Sequence, residues 1–424
     1  MDKGRIAAAL LAAALLAGCA TTPPDAAPDA ADPEAAQSAP EAAPPEAQPA
    51  DDSDLLEAGP PSEMPAPPPV PPRPPIVTSA PPVARDAPPA PAASPNYALV
   101  RVFYGTNRAP LAVPGPEGRF GTVPGPLRYG EVVVSVPKGH QQGVIERPGM
   151  ITGFFFSPDP KKHFTIREIK GLTRAQLLQA VAAQAARAGG PGKRLALVFV
   201  HGFNVGFDDA AFRTAQMSYD IGFKGAPLFY SWPSHQNVLS YWADGDRIVQ
   251  SRPLIKQFLS EVIVGSKADR IVIVAHSMGT RGTVAALAEL SQEHPEQTAK
   301  VAALILAAPD IQAGTFRTAI APRLRRMAAA TTLYASGEDV ALQASHRFNG
   351  AYALGDTRAG ISRFEGMDSI DATRAGTSFL GHSAYGESPA LLRDIGSIVA
   401  GTPPAGRPWL KRGVNGEWVL EVGR

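Results

Sequence analysis

Residues Ile271–Gly282 read IVIVAHSMGTRG. Four apolar β-branched residues run into a serine, as in a strand buried on both faces. Met278 to about Gln292 then carries a helical pattern, which puts Ser277 at the joint of a strand and a helix. Two readings compete there. A serine before a helix is a good N-cap. A serine on a sharp strand-to-helix turn is also where a nucleophile is held up for attack, and such a turn needs small residues on both sides, here Ala275 and Gly279.

Working outward, YALVRVFY (Tyr97–Tyr104), EVVVSV (Glu131–Val136) and HFTIREI (His163–Ile169) read as three strands with little helix between them, an antiparallel start to a sheet. The rhythm then changes. Helical patterns at Thr173–Arg187, Phe207–Ile221, Leu239–Val264 (with Pro253 expected to break or kink it), Thr315–Met327 and Pro389–Ala400 alternate with strands at Arg194–Val200, Pro227–Trp232, Val301–Ala307 and Thr331–Ala335. That alternation predicts an α/β fold with a mostly parallel, doubly wound sheet and an antiparallel N-terminal portion. Asn415-Gly416 marks a late hairpin within Trp409–Val422.

A nucleophilic serine needs a base to take its proton and an acid to orient that base. Past Ser277 the histidines are His294, His346 and His382. His294 falls in the polar tail of the following helix and His346 on a helix after Asp339, where it reads as a surface residue. His382 lies in a Gly/Ser-containing loop before the last helix, where a base reaches the strand ends. His276 adjoins Ser277, and its side chain is expected to diverge across the turn. For the acid, Asp310 and Asp339 both follow strands, where open α/β sheets place their sites. Asp339 is preferred, because Asp310 has a competing use as a cap for a helix near Ile311. Glu338 is a poorer third, and Asp368 and Asp371 read as solvated loop residues. VFVHGFN (Val198–Asn204) ends a buried strand in His201-Gly202. Gly202 lets the chain turn so that the amide of Phe203, with that of Met278, can form an oxyanion hole, and His201 reads as structural. Tyr230, Trp232, Trp242 and Phe207 are candidates for a pocket or for the core.

The N-terminal part is a different object. Lys3, Arg5 and the apolar segment Ile6–Ala17 form a signal-peptide pattern over residues 1–18, too short to span a bilayer. Leu16-Ala17-Gly18-Cys19 resembles the lipobox of bacterial lipoproteins, which implies lipidation at Cys19, the single cysteine; Ala20 after it favours the outer membrane, facing the periplasm. Of the 44 prolines, 24 fall between Ala20 and Asn96, so residues 19–96 are expected to be a disordered linker and 97–424 the folded domain. Net charge is +1 with no Lys/Arg run, which disfavours nucleic acid as a partner. No His, Asp, Glu or Cys cluster has ligand spacing, so neither metal nor cofactor is expected.

Together VRVFYGTNR (Val100–Arg108), YGEVVVSVP (Tyr129–Pro137), HGFN, YSWPS (Tyr230–Ser234), AHSMG, AAPDI (Ala307–Ile311) and YASGEDVAL (Tyr334–Leu342) resemble the α/β-hydrolase superfamily, and within it a bacterial family catalogued as domain of unknown function 900. The resemblance covers nearly all of Tyr97–Gly401. It implies an esterase- or lipase-like hydrolase and supplies no substrate. The expected function is a serine hydrolase acting by acyl transfer on a small-molecule or lipid ester through Ser277, His382 and Asp339, held at the membrane by its N-terminal lipid. The rival is a non-catalytic envelope scaffold or binding module of the same fold.

Overall fold

The computed structural model describes residues 96–148, 157–190, 192–375 and 388–422, all within one compact unit. Eleven strands form one sheet: β1 (Tyr97–Pro110), β2 (Phe120–Pro137), β3 (Thr165–Leu172), β4 (Leu195–Val200), β5 (Ala226–Ser231), β6 (Arg270–His276), β7 (Val301–Ala307), β8 (Thr331–Ala335), β9 (Met367–Asp371), β10 (Leu410–Arg412) and β11 (Trp418–Leu420). Their spatial order is β10-β11-β9-β8-β7-β6-β4-β5-β1-β2-β3. The pairs from β1 across to β11 are all parallel, whereas β1–β2, β2–β3 and β10–β11 are antiparallel. This is the expected doubly wound sheet with an antiparallel start.

Six longer helices cover it: α1 (Arg174–Ala185), α2 (Phe207–Asp220), α3 (Tyr241–Gly265), α4 (Gly279–Glu293), α5 (Val340–Asn349) and α6 (Pro389–Ala400). Strand side chains alternate between two cores, as the period of two requires. Ala196, Val198 and Val200 of β4 pack with Val181 of α1, Phe258 of α3 and Leu287 of α4. Leu197 and Phe199 face Ala215 of α2 and Ile395 of α6. Helices on both faces explain why β4 to β8 are almost wholly apolar.

Two local expectations are corrected and that for Pro253 is narrowed, since the helix does not break there. Helix α3 runs unbroken through Pro253. Pro253 and Val249, whose carbonyl loses its helical donor, lie on the exposed side, while Ile255, Phe258, Leu259 and Val262 hold the inner face. The stretch near Thr315–Met327 is not one helix but a π turn (Phe316–Ile320), a 3₁₀ turn (Ala321–Arg323) and a short α turn (Leu324–Met327). Pro322 has no N–H to continue an α-helix, which accounts for the break. Asp368 and Asp371 lie on β9, between β8 and β11, rather than in a loop.

Candidate active site

The chain passes from β4 to β5 on one side and then crosses back to place β6 on the other. The carboxyl ends of β4 and β6 therefore diverge into helices on opposite faces, α2 and α4. This is the switch point where doubly wound sheets open a crevice. His201-Gly202 and Ser277 stand on either side of it.

Ser277 has φ 48°, a left-handed conformation that a residue with a Cβ adopts only when its surroundings enforce it. Several contacts do so. Its N–H donates to the Ala307 carbonyl at 2.9 Å, and its own carbonyl accepts from the N–H groups of Thr280 and Asp310 at 3.1 and 3.2 Å. The N-cap of α4 is Met278, with no side-chain cap bond, so Ser277 does not serve as the helix cap. Gly279 sits so close to β4 that a Cβ there would come 2.2 Å from the His201 carbonyl oxygen. A Cβ on Gly202 would lie 2.8 Å from both the Ser277 Cβ and the His276 Nδ1. Glycine at both positions brings the strand end and the serine turn into contact. It also places the His276 ring against Gly202.

Strain concentrates here. Among the described residues five non-glycines have positive φ, and four follow strands at this edge: Asn204 after β4, Gln236 after β5, Ser277 after β6 and Ala308 after β7. Strained backbone clusters at functional sites, where the fold over-determines it.

Beneath Gly202, His201 is buried and stacks on Trp232 at 5.1 Å. Its Nδ1 lies 2.8 Å from the Gly202 carbonyl, which can only accept, so Nδ1 carries the proton and Nε2 accepts from the Ser231 hydroxyl at 3.2 Å. Burial, helped by the nearby Arg108 charge, pulls the His201 pKa down to about 3. A neutral imidazole committed on both nitrogens is structural, not a base. Arg108 is itself fully buried and donates to Ser231 Oγ (2.8 Å) and to the carbonyls of Val205 (2.7 Å), Gly121 (2.9 Å) and Ser234 (3.2 Å). Desolvation lowers its pKa to about 9, still above neutrality, so a buried positive charge braces the loops after β4 and β5.

Both candidate acids are buried. Asp310 does not cap a helix. Its carboxylate accepts from Tyr241 (2.7 Å), Arg281 (3.1 Å) and Ser345 (2.7 Å), and Arg281 Nε also reaches its carbonyl at 2.5 Å. Burial works against the Arg281 charge, but Asp310 outweighs it and the arginine pKa stands above its ordinary value. Asp339 is the N-cap of α5, with Oδ1 accepting from the Leu342 N–H at 3.0 Å. Glu338 beside it is exposed. β6 and β8 are two strands apart, about 10 Å, a gap that one histidine side chain spans between serine and carboxylate. His382 lies outside the described residues. His294 is half-exposed and pairs with Glu296 at 3.5 Å, and His346 stacks on Tyr352 at 4.0 Å. Tyr230, Trp232 and Phe207 belong to the core, whereas Trp242 is exposed.

The doubly wound sheet with its antiparallel start has the α/β-hydrolase fold. Residues 190–399 match the family model described as Alpha/beta hydrolase of unknown function (DUF900). The matched span begins just before β4, so β1–β3 lie ahead of it. No curated protein matches the chain.

The braces were not foreseen. Arg108 closes the stretch VRVFYGTNR, and Arg281 stands four residues past Ser277, one helical turn on. Neither spacing announces a partner, since those partners come from distant parts of the chain.

Proposed function

We propose that the domain is a serine hydrolase that cleaves carboxylic esters by acyl transfer. Ser277 Oγ attacks the ester carbonyl while His382 takes its proton, and Asp339 holds the imidazole and stabilises its charged form. The amides of Phe203 and Met278 take the developing oxyanion, Met278 from the N-terminus of α4 where the helix dipole favours negative charge. The proton passes from His382 to the leaving alkoxide. Water then repeats the sequence on the acyl-enzyme, releasing the acid and restoring Ser277. In the same reading Cys19 carries a lipid that tethers the domain to the outer membrane on its periplasmic side.

One observation carries the reading. Ser277 is held at φ 48° between β6 and α4, in contact distance of the only kind of residue, glycine, that fits opposite it. The experiment is labelling with a fluorophosphonate probe. The wild-type chain should label covalently and Ser277→Ala should not, with thermal unfolding unchanged. A wild-type chain that folds yet fails to label would favour the scaffold instead.

A further inference from the structure

We propose that the turn leading into α3 seats the domain on a lipid bilayer, so that the site draws its ester from a membrane surface. The inference rests on the reading of Ser277 as nucleophile only for where the mouth of the site lies.

Val238, Leu239 and Trp242 are 45, 72 and 58 % exposed. From Gln236 to Ala243 the chain reads QNVLSYWA, without a charged side chain. Large apolar side chains standing together in water without charges among them mark a surface that something covers. This turn is also built to hold them out. Asn237 Oδ1 accepts from the Leu239 N–H at 3.0 Å, and the Ser240 N–H donates to the Asn237 carbonyl at 3.0 Å. Tyr241, between the exposed residues, is part-buried and meets the Trp242 ring at 6.0 Å. Its ring meets Phe203 at 5.5 Å, and its hydroxyl binds Asp310, whose N–H in turn donates to the Ser277 carbonyl. The apolar turn is thus fastened through one residue to both sides of the serine crevice.

The chemistry of the turn points to lipid as the occupant. An indole beside aliphatic side chains at a helix start suits the boundary between headgroups and acyl chains, where Trp finds both an apolar body and a polar edge. The chain ahead of the domain fits too. A lipid on Cys19, 77 residues ahead of the domain, would hold it to the same membrane.

The test uses the full-length chain reconstituted with phosphatidylethanolamine–phosphatidylglycerol vesicles whose acyl chains carry bromine, which quenches tryptophan only on contact with the hydrocarbon. Trp232 is buried, and Trp409 and Trp418 lie under Arg393 and Arg412, leaving Trp242 as the reporter of this turn. Wild-type emission should be quenched relative to unbrominated vesicles. Trp242→Phe should lose that quenching, and Leu239→Asp should lose most of it with Trp242 still in place. No quenching in the wild type, as when a second copy of the chain covers the turn, overturns the proposal. So does quenching that survives Trp242→Phe, or that is unchanged in Leu239→Asp. Ser277→Ala should quench as the wild type does, so a failure of fluorophosphonate labelling with quenching intact removes the hydrolase reading and leaves the membrane contact standing.

Discussion

Asp310 and Asp339 occupy matching places, just past the adjacent parallel strands β7 and β8, and both are buried. They are held in opposite ways. Around Asp310 the carboxylate gathers side chains from α3, α4 and α5, and one of them is the Arg281 guanidinium. Asp339 binds the N–H of Leu342, three residues on in its own helix. The first is a joint between elements, and the second caps its own helix. A carboxylate already paired with a guanidinium stabilises a neighbouring imidazolium less than it would alone. Position at a strand end therefore does not by itself make a catalytic acid.

The comparison breaks most visibly through activity. Asp339→Asn is predicted to lower kcat by about 10⁴-fold, the scale seen when a triad acid is replaced by its amide and the histidine takes the wrong tautomer. Its unfolding temperature should hardly move, because asparagine caps a helix as well as aspartate does. Measuring kcat on a short soluble ester alongside thermal unfolding decides it. Should Asp310→Asn abolish turnover while Asp339→Asn retains it, the two roles must be exchanged.

The serine that either acid would serve offers a second, smaller effect. A Cβ at position 202 would sit 2.8 Å from the Ser277 Cβ, so Gly202→Ala must push the serine turn or the β4 end aside. A displacement of that kind costs on the order of 10²-fold in kcat. Undiminished turnover in Gly202→Ala would show that the contact between the two strand ends does not position the nucleophile.

Asp310→Asn comes third, and its expected signature is stability. The substitution leaves the Arg281 charge, itself only 24 % exposed, without its counter-ion, at a cost of about 1–3 kcal/mol. At roughly 1–2 °C per kcal/mol for a domain of about 330 residues, the unfolding temperature should drop by a few degrees. kcat should change far less than in Asp339→Asn. Equal unfolding temperatures for the two variants would erase the distinction between joint and cap.

What was legible beforehand follows the same division between local and distant. The strands β4 to β8 announce themselves because both faces are buried, so nearly every residue is apolar. Ser277, Gly202 and the strand-end acids are legible because a tight turn restricts residue type within a few positions. β9 escaped because MDSID has three polar residues in five, and it becomes a strand by pairing with β8 and β11. The Tyr241–Asp310–Arg281–Ser345 cluster escaped for a related reason. Its members are 29 to 104 residues apart, and only the folded sheet brings them together. The same distance hid Arg108, which reaches Ser231 123 positions later.

A third ion cluster extends the comparison away from the serine. His140, in the connection after β2, lies between Glu146 at 2.9 Å and Asp220 at 2.7 Å, with its side chain only 4 % exposed. Phe164 and Tyr219 pack their rings against it, and Gln216 and the Gly143 N–H hold the second Asp220 oxygen. Burial alone would depress its pKa, but the two carboxylates more than reverse this, and the pKa stands above the ordinary 6.5. Like Arg281 it is a cation that ties elements together, but unlike arginine it can lose its charge in an accessible pH range. For a histidine whose pKa is raised by folding, the stabilisation is complete below the unfolded value of 6.5 and is lost as pH rises through the folded one. The advantage of the wild type over His140→Gln should therefore be largest below pH 6.5 and shrink as pH rises through the folded value. The difference should amount to about 1–2 °C, roughly 1 kcal/mol, the smallest effect predicted here. Thermal unfolding of both proteins across that range measures it. An advantage that stays constant with pH would mean that His140 binds its two carboxylates as a neutral ring, and a growing advantage toward alkaline pH would reverse the sign of the assignment.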